Sequence, residues 1–289
     1  MLSKNTLKYL NALHLKKYRQ QHGAFLVEGQ KSVLELLAAH FDIELLVVSE
    51  LFYKENTPVL DKQPFRLEIA TPAELARAGT LQTNDAALAV VRTKPNDFLC
   101  ADANEYVLVL DDVRDPGNLG TIIRIADWYG ITKIICSDST TDWYNPKVVA
   151  ASKGSFLRVR GYYCDLPVYL EQQRAQPIYG TFMKGQDIHQ VAFGGGGYVV
   201  MGNESNGIGQ AVEELINNKI TIPRFGGAES LNVAIAAAIV CSFIYVVAQI
   251  YGVGLITSRL TGVAFELGVF LGLGGILVCS FLGGMRAVT

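Results

Sequence analysis

The sequence predicts an α/β fold: a mostly parallel sheet of about six strands with helices on both faces, preceded by a small α/β domain and followed by an apolar, helical tail. Three observations predict it. Tyr106-Val-Leu-Val-Leu110 is a continuous apolar run, as expected of a strand buried on both faces of a parallel sheet. Apolar runs alternate with helical patterns from there to Ile222. Several of these runs end on polar, Gly-rich turns: 181–185, 202–207 and 223–227. A parallel sheet binds ligands at such strand ends.

Taken in order, residues 5–21 read as a basic helix, 25–29 as a strand ending on Gly29, and 31–39 as a helix with Val33, Leu34 and Leu37 on one face. Residues 44–48 form a strand, Thr71 opens a short helix over 72–78, and 86–91 is an apolar strand. Residues 93–97 have the breakers of a linker, which sets domains at 1–95 and 96–245. In the second domain, strands are expected at 106–110, 133–136, 156–159, 178–181, 198–201 and 220–222. Helices are expected at 119–129, 146–152 and 167–173.

Composition narrows the function. The chain of 289 residues has a net charge of −2 and is 18% charged, below the soluble average of about 25%. The deficit is local, since residues 246–289 hold only Arg259, Glu266 and Arg286. Lys4, Lys8, Lys16, Lys17, Arg19 and Lys31 face a single acid, Glu28, among residues 1–31, which suggests a nucleic-acid contact or else a solvated helix face. Five scattered cysteines without a CxxC pair fit free thiols in a reducing cytoplasm. His14, His22, His40 and His189 lack metal spacing, so no metal is expected. There is neither a GxGxxG fingerprint nor a Walker loop, which disfavours generic nucleotide binding. Trp128 and Trp143 read as core or dimer-interface residues, with Trp143-Tyr144 in a loop that could face RNA.

Two stretches couple Gly-rich turns to polar side chains at the mouth of an apolar helix: Asp115-Pro-Gly-Asn118-Leu-Gly-Thr-Ile-Ile-Arg124, and Ile222-Pro-Arg-Phe-Gly-Gly-Ala-Glu-Ser230-Leu231-Asn232-Val233. Such a mouth offers open backbone N–H groups to a small polar ligand. Together with Val200-Met-Gly202-Asn-Glu204 and Gly207, and in this order, they resemble the three motifs of the SpoU (TrmH-type) RNA 2′-O-ribose methyltransferases of the SPOUT superfamily. Asn145-Pro-Lys147 and Ala151-Ser-Lys-Gly154 are similar to that family's middle segment, and residues 1–92 to its small substrate-binding domain.

The resemblance, over about residues 1–245, implies a trefoil-knotted sheet, a homodimer, an RNA substrate (ribosomal or transfer) and S-adenosylmethionine as methyl donor. It implies cofactor contacts from Thr181, Met183, Gly202, Ile222 and Leu231. Arg124 matches the family's proposed base. A guanidinium stays protonated in proteins, so stabilisation of the developing alkoxide is the role its chemistry allows. Asn118 would orient the ribose or Arg124, and Glu204, Ser230 and Asn232 would complete the pocket. The plainer readings are a surface salt bridge for Arg124 and helix capping for Glu204 and Ser230.

The tail departs from the family. Residues 267–285 carry no charge over a length that, as a helix, reaches about 28 Å, close to a bilayer core. Gly268 and Gly272 make a GxxxG. From about Tyr245 onward the chain resembles a piece of a sodium/solute symporter of the acetate type, too short for a transport pathway. A fused or misjoined segment is the favoured reading and a membrane-tethered enzyme the other. A catalytically impaired RNA-binding protein is the functional alternative to the methyltransferase.

Overall fold

The computed structural model describes residues 2–283 other than 62, 63, 82 and 228, with side chains to residue 278. The N-terminal elements are α1 (Lys4–Ala12), α2 (Lys16–His22), β1 (Ala24–Glu28), α3 (Gln30–Leu37), β2 (Ile43–Val48), α4 (Glu50–Leu60), β3 (Arg66–Ile69), α5 (Pro72–Ala78) and β4 (Ala87–Arg92). Their sheet has the order β1-β4-β2-β3. Both pairings of β4 are antiparallel and β2 pairs β3 in parallel. The expected single helix over 5–21 is two. Leu10 and Leu13 turn into the core, and Arg19 Nη1 donates to the carbonyls of Leu13 and His14 at 3.0 and 2.8 Å, satisfying groups released at the break. Helix α4 and strand β3 were not expected from sequence. Pro58 lies inside α4 and reads as a breaker.

The second sheet is built from β5 (Tyr106–Leu110), β6 (Lys133–Ser137), β7 (Arg160–Cys164), β8 (Ile178–Asp187), β9 (Gly197–Met201) and β10 (Asn218–Thr221). Its order is β10-β8-β9-β5-β6-β7 and every pairing is parallel. Helices α6 (Pro116–Trp128), α7 (Pro146–Ser152), α8 (Leu166–Gln172), α9 (Gln210–Glu213) and α10 (Val233–Thr261) cover it. Alternation along the strands divides the core. Val107, Val109, Tyr198 and Val200 face α8 and α9. Leu108, Leu110, Ile134, Val199 and Met201 face α6, α7, α10 and the N-terminal sheet.

The strand expected at 156–159 is instead a short 3-10 turn, Ser155–Leu157, and β7 follows it. Phe156 and Val159 are both buried at a helical spacing of three, so an apolar run that looked like a strand is a turn with one inward face. Phe156 joins Phe25 and Phe41 of the N-terminal unit edge to face, at 5.9 and 6.1 Å between centroids. Beside them Arg19, 3% exposed, donates through Nε and Nη2 to Asp142 Oδ2 at 3.0 and 2.6 Å. Arg19 is thus no part of an RNA-facing basic arm. It ties the two sheets together, whereas Lys4, Lys8, Lys16, Lys17 and Lys31 are exposed.

Trp143 is buried, its ring filling the space a side chain at Gly161 would need. Trp128 is the opposite case, 80% exposed on α6, so a place in the core is excluded for it.

Helix α10 runs unbroken through Tyr245. Its first half is core, with Val233, Ala234, Ala237, Val240, Cys241 and Ile244 buried. Its second half packs against α11 (Phe265–Gly283) as an antiparallel hairpin turning at Gly262, φ +73°. The hairpin is closed by small residues. A Cβ at Gly254 would collide with Val269 and Phe265, at Gly268 with the Gly254 carbonyl, and at Gly272 with Val253. Its outer faces expose Tyr251, Ile256, Leu260, Phe270, Leu271 and Leu277. Met285 and Arg286, at the end of the expected apolar span, lie outside the described residues.

Candidate active site

Parallel strands bring all their carboxyl ends to one edge of the sheet. Here that edge gathers the ends of β5, β8, β9 and β10. Helix α6 starts there, its N-cap Asp115 accepting from the Asn118 amide at 2.8 Å, with Pro116 preset for the first turn. Helix α10 also starts there, with Asn232 Oδ1 accepting from the Ala234 and Ile235 amides at 2.9 and 3.4 Å.

The two helix mouths and the β9 loop meet. Asn118 Nδ2 donates to Glu204 Oε1 at 2.5 Å, and Asn232 Nδ2 donates to Asn118 Oδ1 at 3.0 Å. Three predicted site residues, separated by 86 and 114 positions, therefore form one hydrogen-bonded chain. Asn118 sits in the middle with both its amide ends in use, which fixes its rotamer.

The loop after β9 is held from below. Asn203 and Gly207 exchange backbone hydrogen bonds at 3.0 and 2.9 Å, and Gly207 takes φ +68°. Asn203 Oδ1 accepts from the Ser205 and Asn206 amides, while its Nδ2 donates to the Asp112 carbonyl at 2.8 Å. Asp111 Oδ2 accepts from the Gly209 amide at 2.7 Å. Burial pushes the Asp111 carboxyl above its ordinary range, and the Gly209 bond opposes that shift. Asp112, at φ +58°, is held below its ordinary range by the Arg114 guanidinium. Asp111, Asp112 and Asn203 were not expected as site residues. The available signal was a pair of acids directly ending the apolar run of β5.

Gly202 opens this loop, and a Cβ there would strike the backbone of Gly207 and Ile208. Thr181 Oγ1 donates to the Val200 carbonyl at 3.2 Å, placing it beside Gly202. Between Gly180 and Gln186 the strand β8 bulges away from β10, and Thr221 Oγ1 donates to the Met183 carbonyl at 3.4 Å across the gap. The edge of the site is apolar and open: Met183 is 60%, Leu231 46% and Phe225 98% exposed. Ser230 is also exposed. Arg124 lies six residues along α6 from Asn118, about 9 Å along the axis, with its side chain in solvent. Among the described residues it has neither a hydrogen-bond nor an ion-pair partner, so the surface salt bridge considered for it is not formed.

A cavity of about 380 Å³ adjoins the third motif. Ile222, Pro223 and Phe225 form one wall, and Ile239, Phe243 and Val246 of α10 the other. Of the predicted cofactor residues it includes only Ile222, so the cavity is a neighbour of the strand-end site rather than the site itself. Among the described residues no cluster of His, Cys, Asp and Glu could hold a metal ion.

Comparison with known proteins agrees with this architecture. Residues 105–242 match the SpoU rRNA Methylase family and residues 4–89 the MRM3-like substrate binding domain. The 23S rRNA guanosine 2′-O-methyltransferase RlmP of Bacillus subtilis is 32% identical over 231 residues, covering 78% of this chain and 90% of RlmP. This chain belongs to the SpoU family. An RNA methyltransferase of the TrmH family from Porphyromonas gingivalis superposes on the SpoU chain with a TM-score of 0.75 at 33% identity, over 84% of this chain and 98% of that one. The AdoMet-bound rRNA methyltransferase of Sinorhizobium meliloti gives 0.77 at 26% identity, over 84% and 95%. The end of this SpoU chain has a different likeness. Residues 211–289 match the Sodium:solute symporter family. A symporter of Cupriavidus necator is 67% identical over 57 residues, 20% of this chain and 8% of the symporter.

Proposed function

We infer that this SpoU chain is an enzyme that transfers the methyl group of S-adenosylmethionine to a ribose 2′-hydroxyl of ribosomal or transfer RNA. The observation that carries the reading is the chain Glu204–Asn118–Asn232, which draws three distant turns to one sheet edge, with an unpaired Arg124 six residues further along α6. The donor set fits the cofactor. Open backbone at Gly226 and Gly227 suits its polar groups, and exposed Met183, Phe225 and Leu231 suit an adenosine. Thr181, Gly202 and Ile222 complete that side.

S-adenosylmethionine, when bound, supplies a methyl group already activated on a sulfonium. The residues must then position the ribose, exclude water and balance charge. In such a transfer the ribose 2′-oxygen would take the methyl group as its hydroxyl proton passes to solvent or to an RNA phosphate. Arg124 stabilises the developing negative charge on that oxygen. Asn118, locked between Glu204 and Asn232, orients the ribose, and Ser230 lines the approach. Purified full-length protein is expected to bind S-adenosylmethionine by calorimetry and to add one ribose methyl to rRNA or tRNA, mapped by mass. Cofactor binding without transfer to either RNA would instead support the impaired RNA-binding reading.

We read the path of residues 222–232 past the β9 loop as the family's trefoil knot. In support, β10 lies at an outer edge of the sheet, yet α10 returns to pack on α6 beside central β5. A homodimer is supported by exposed Trp128, next to the Tyr129–Tyr245 ring pair that joins α6 to α10 at 5.6 Å.

The hairpin of α10 and α11 supports association with a lipid bilayer through residues 246–283. Glycine-mediated closure with apolar side chains outside is the packing of helices in lipid, where association relies on close backbone approach. In water such a patch is a liability. Full-length protein is expected to float with neutral phosphatidylcholine vesicles in a density gradient, and a version ending at Tyr245 to stay at the bottom. Equal flotation, or none for either, would refute the association.

A further inference from the structure

Arg124 is unpaired although an acid stands one turn further along its own helix. Asp127 is three residues on, close enough on an α-helix for the two side chains to meet. Its carboxylate is already occupied by another residue. Arg158 Nε donates to Asp127 Oδ1 and Oδ2 at 3.1 and 2.9 Å, and Nη2 donates to Oδ2 at 2.8 Å. The remaining arm of the guanidinium, Nη1, donates to Glu35 Oε2 on α3 at 3.1 Å. Arg158 is placed by its neighbours. Its amide closes the 3-10 turn onto the Ser155 carbonyl at 3.0 Å, and Phe156 and Val159 on either side are buried.

We propose that Arg158 is a positioning residue for methyl transfer: by holding both oxygens of Asp127 it keeps that carboxylate from pairing with Arg124, leaving the Arg124 guanidinium for the RNA. The inference rests on the charge-stabilising role of Arg124 argued above. A forked guanidinium outcompetes a single helical neighbour because it meets both carboxylate oxygens at once. Asp127 and Glu35 are also partly shielded, with side chains 22% and 28% exposed. Since Glu35 belongs to the N-terminal unit, docking of that unit helps to set the Arg158 fork, and so the readiness of Arg124.

The test compares kcat for RNA methylation in four full-length variants: Arg158→Met, Arg158→Lys, Arg158→Met with Asp127→Asn, and Arg124→Ala. Freed Asp127 should compete for Arg124 with the strength of an exposed ion pair, so Arg158→Met is expected to lose about fivefold in kcat. Arg158→Lys keeps the charge but loses the fork, and is expected to fall between parent and Met variant. It also serves if the Met variant does not fold. Asp127→Asn removes the competing charge and is expected to return the Met variant to within about twofold of the parent. A tie that only joined the two sheets would not be rescued in this way. An unrescued double variant, or parent rates in both Arg158 variants, would overturn the proposal. Parent rates in Arg124→Ala would overturn the role of Arg124 itself, and this inference with it. An inactive Arg124→Ala beside an unrescued double variant would remove the positioning role alone.

Discussion

Arg124→Ala is expected to lower kcat for methyl transfer by about 100- to 1,000-fold, the range seen when one preorganised charge-stabilising donor is removed from an active site. Binding of S-adenosylmethionine should stay within about threefold of the parent value, because a group acting only on the developing alkoxide contributes little to ground-state binding. The geometry supports that separation. Arg124 makes none of the hydrogen bonds that join Asn118, Glu204 and Asn232, and it is exposed on α6 six residues further on. Its truncation leaves the loop architecture intact. Single-turnover methylation, with calorimetry of the cofactor, reads both quantities. A large loss of cofactor affinity with unchanged kcat would place Arg124 in the wrong role.

Gly202→Ala is expected to act in the reverse way, through the cofactor. The added methyl would lie against the Gly207 carbonyl carbon and oxygen and the Ile208 nitrogen, all backbone atoms. No rotamer change relieves such a clash. The loop must move, and it is tied to Asp111 and Asp112 at the end of β5. Overpacking of this kind costs about 1–3 kcal/mol. If that strain is released by displacing the 202–207 turn, affinity for S-adenosylmethionine should fall about 10- to 100-fold. The contrast is Gly226→Ala, whose Cβ meets nothing within 4 Å. Its thermal midpoint should match the parent, so any loss of affinity there would report close approach of the ligand itself. Parent affinity in Gly202→Ala would show that the turn does not contact the cofactor.

The sheet was legible wherever burial on both faces left an uninterrupted apolar run. Tyr106–Leu110 and helix Pro146–Ser152 were placed to the residue. The strand misplaced at 156–159 was ambiguous because a four-residue run carries too few positions to separate periods of two and three. In the candidate site, Asn118, Glu204 and Asn232 were found through their motifs, and the structure joins them. The residues beneath them were not. Asp111 reaches the Gly209 amide and Asn203 the Asp112 carbonyl, 98 and 91 positions away, and a single sequence carries no mark of such pairings. Arg19 and Arg158 were hidden for the same reason. Each reaches an acid 123 positions distant, so Arg19 was grouped with the basic N-terminal residues and Arg158 was not singled out.

One long rod links the two ends of this protein. Asn232 begins α10 with a hydrogen bond to Asn118, and the same 29-residue helix ends at the hairpin tip, about 44 Å away. It contains no proline, and its buried first half is clamped by the core. Whatever seizes the far end therefore pulls on the Asn118–Asn232 contact through one continuous helix, as a mast carries its lamp. A partner held at the hairpin tip would then stand a whole helix length from the Asn232 end.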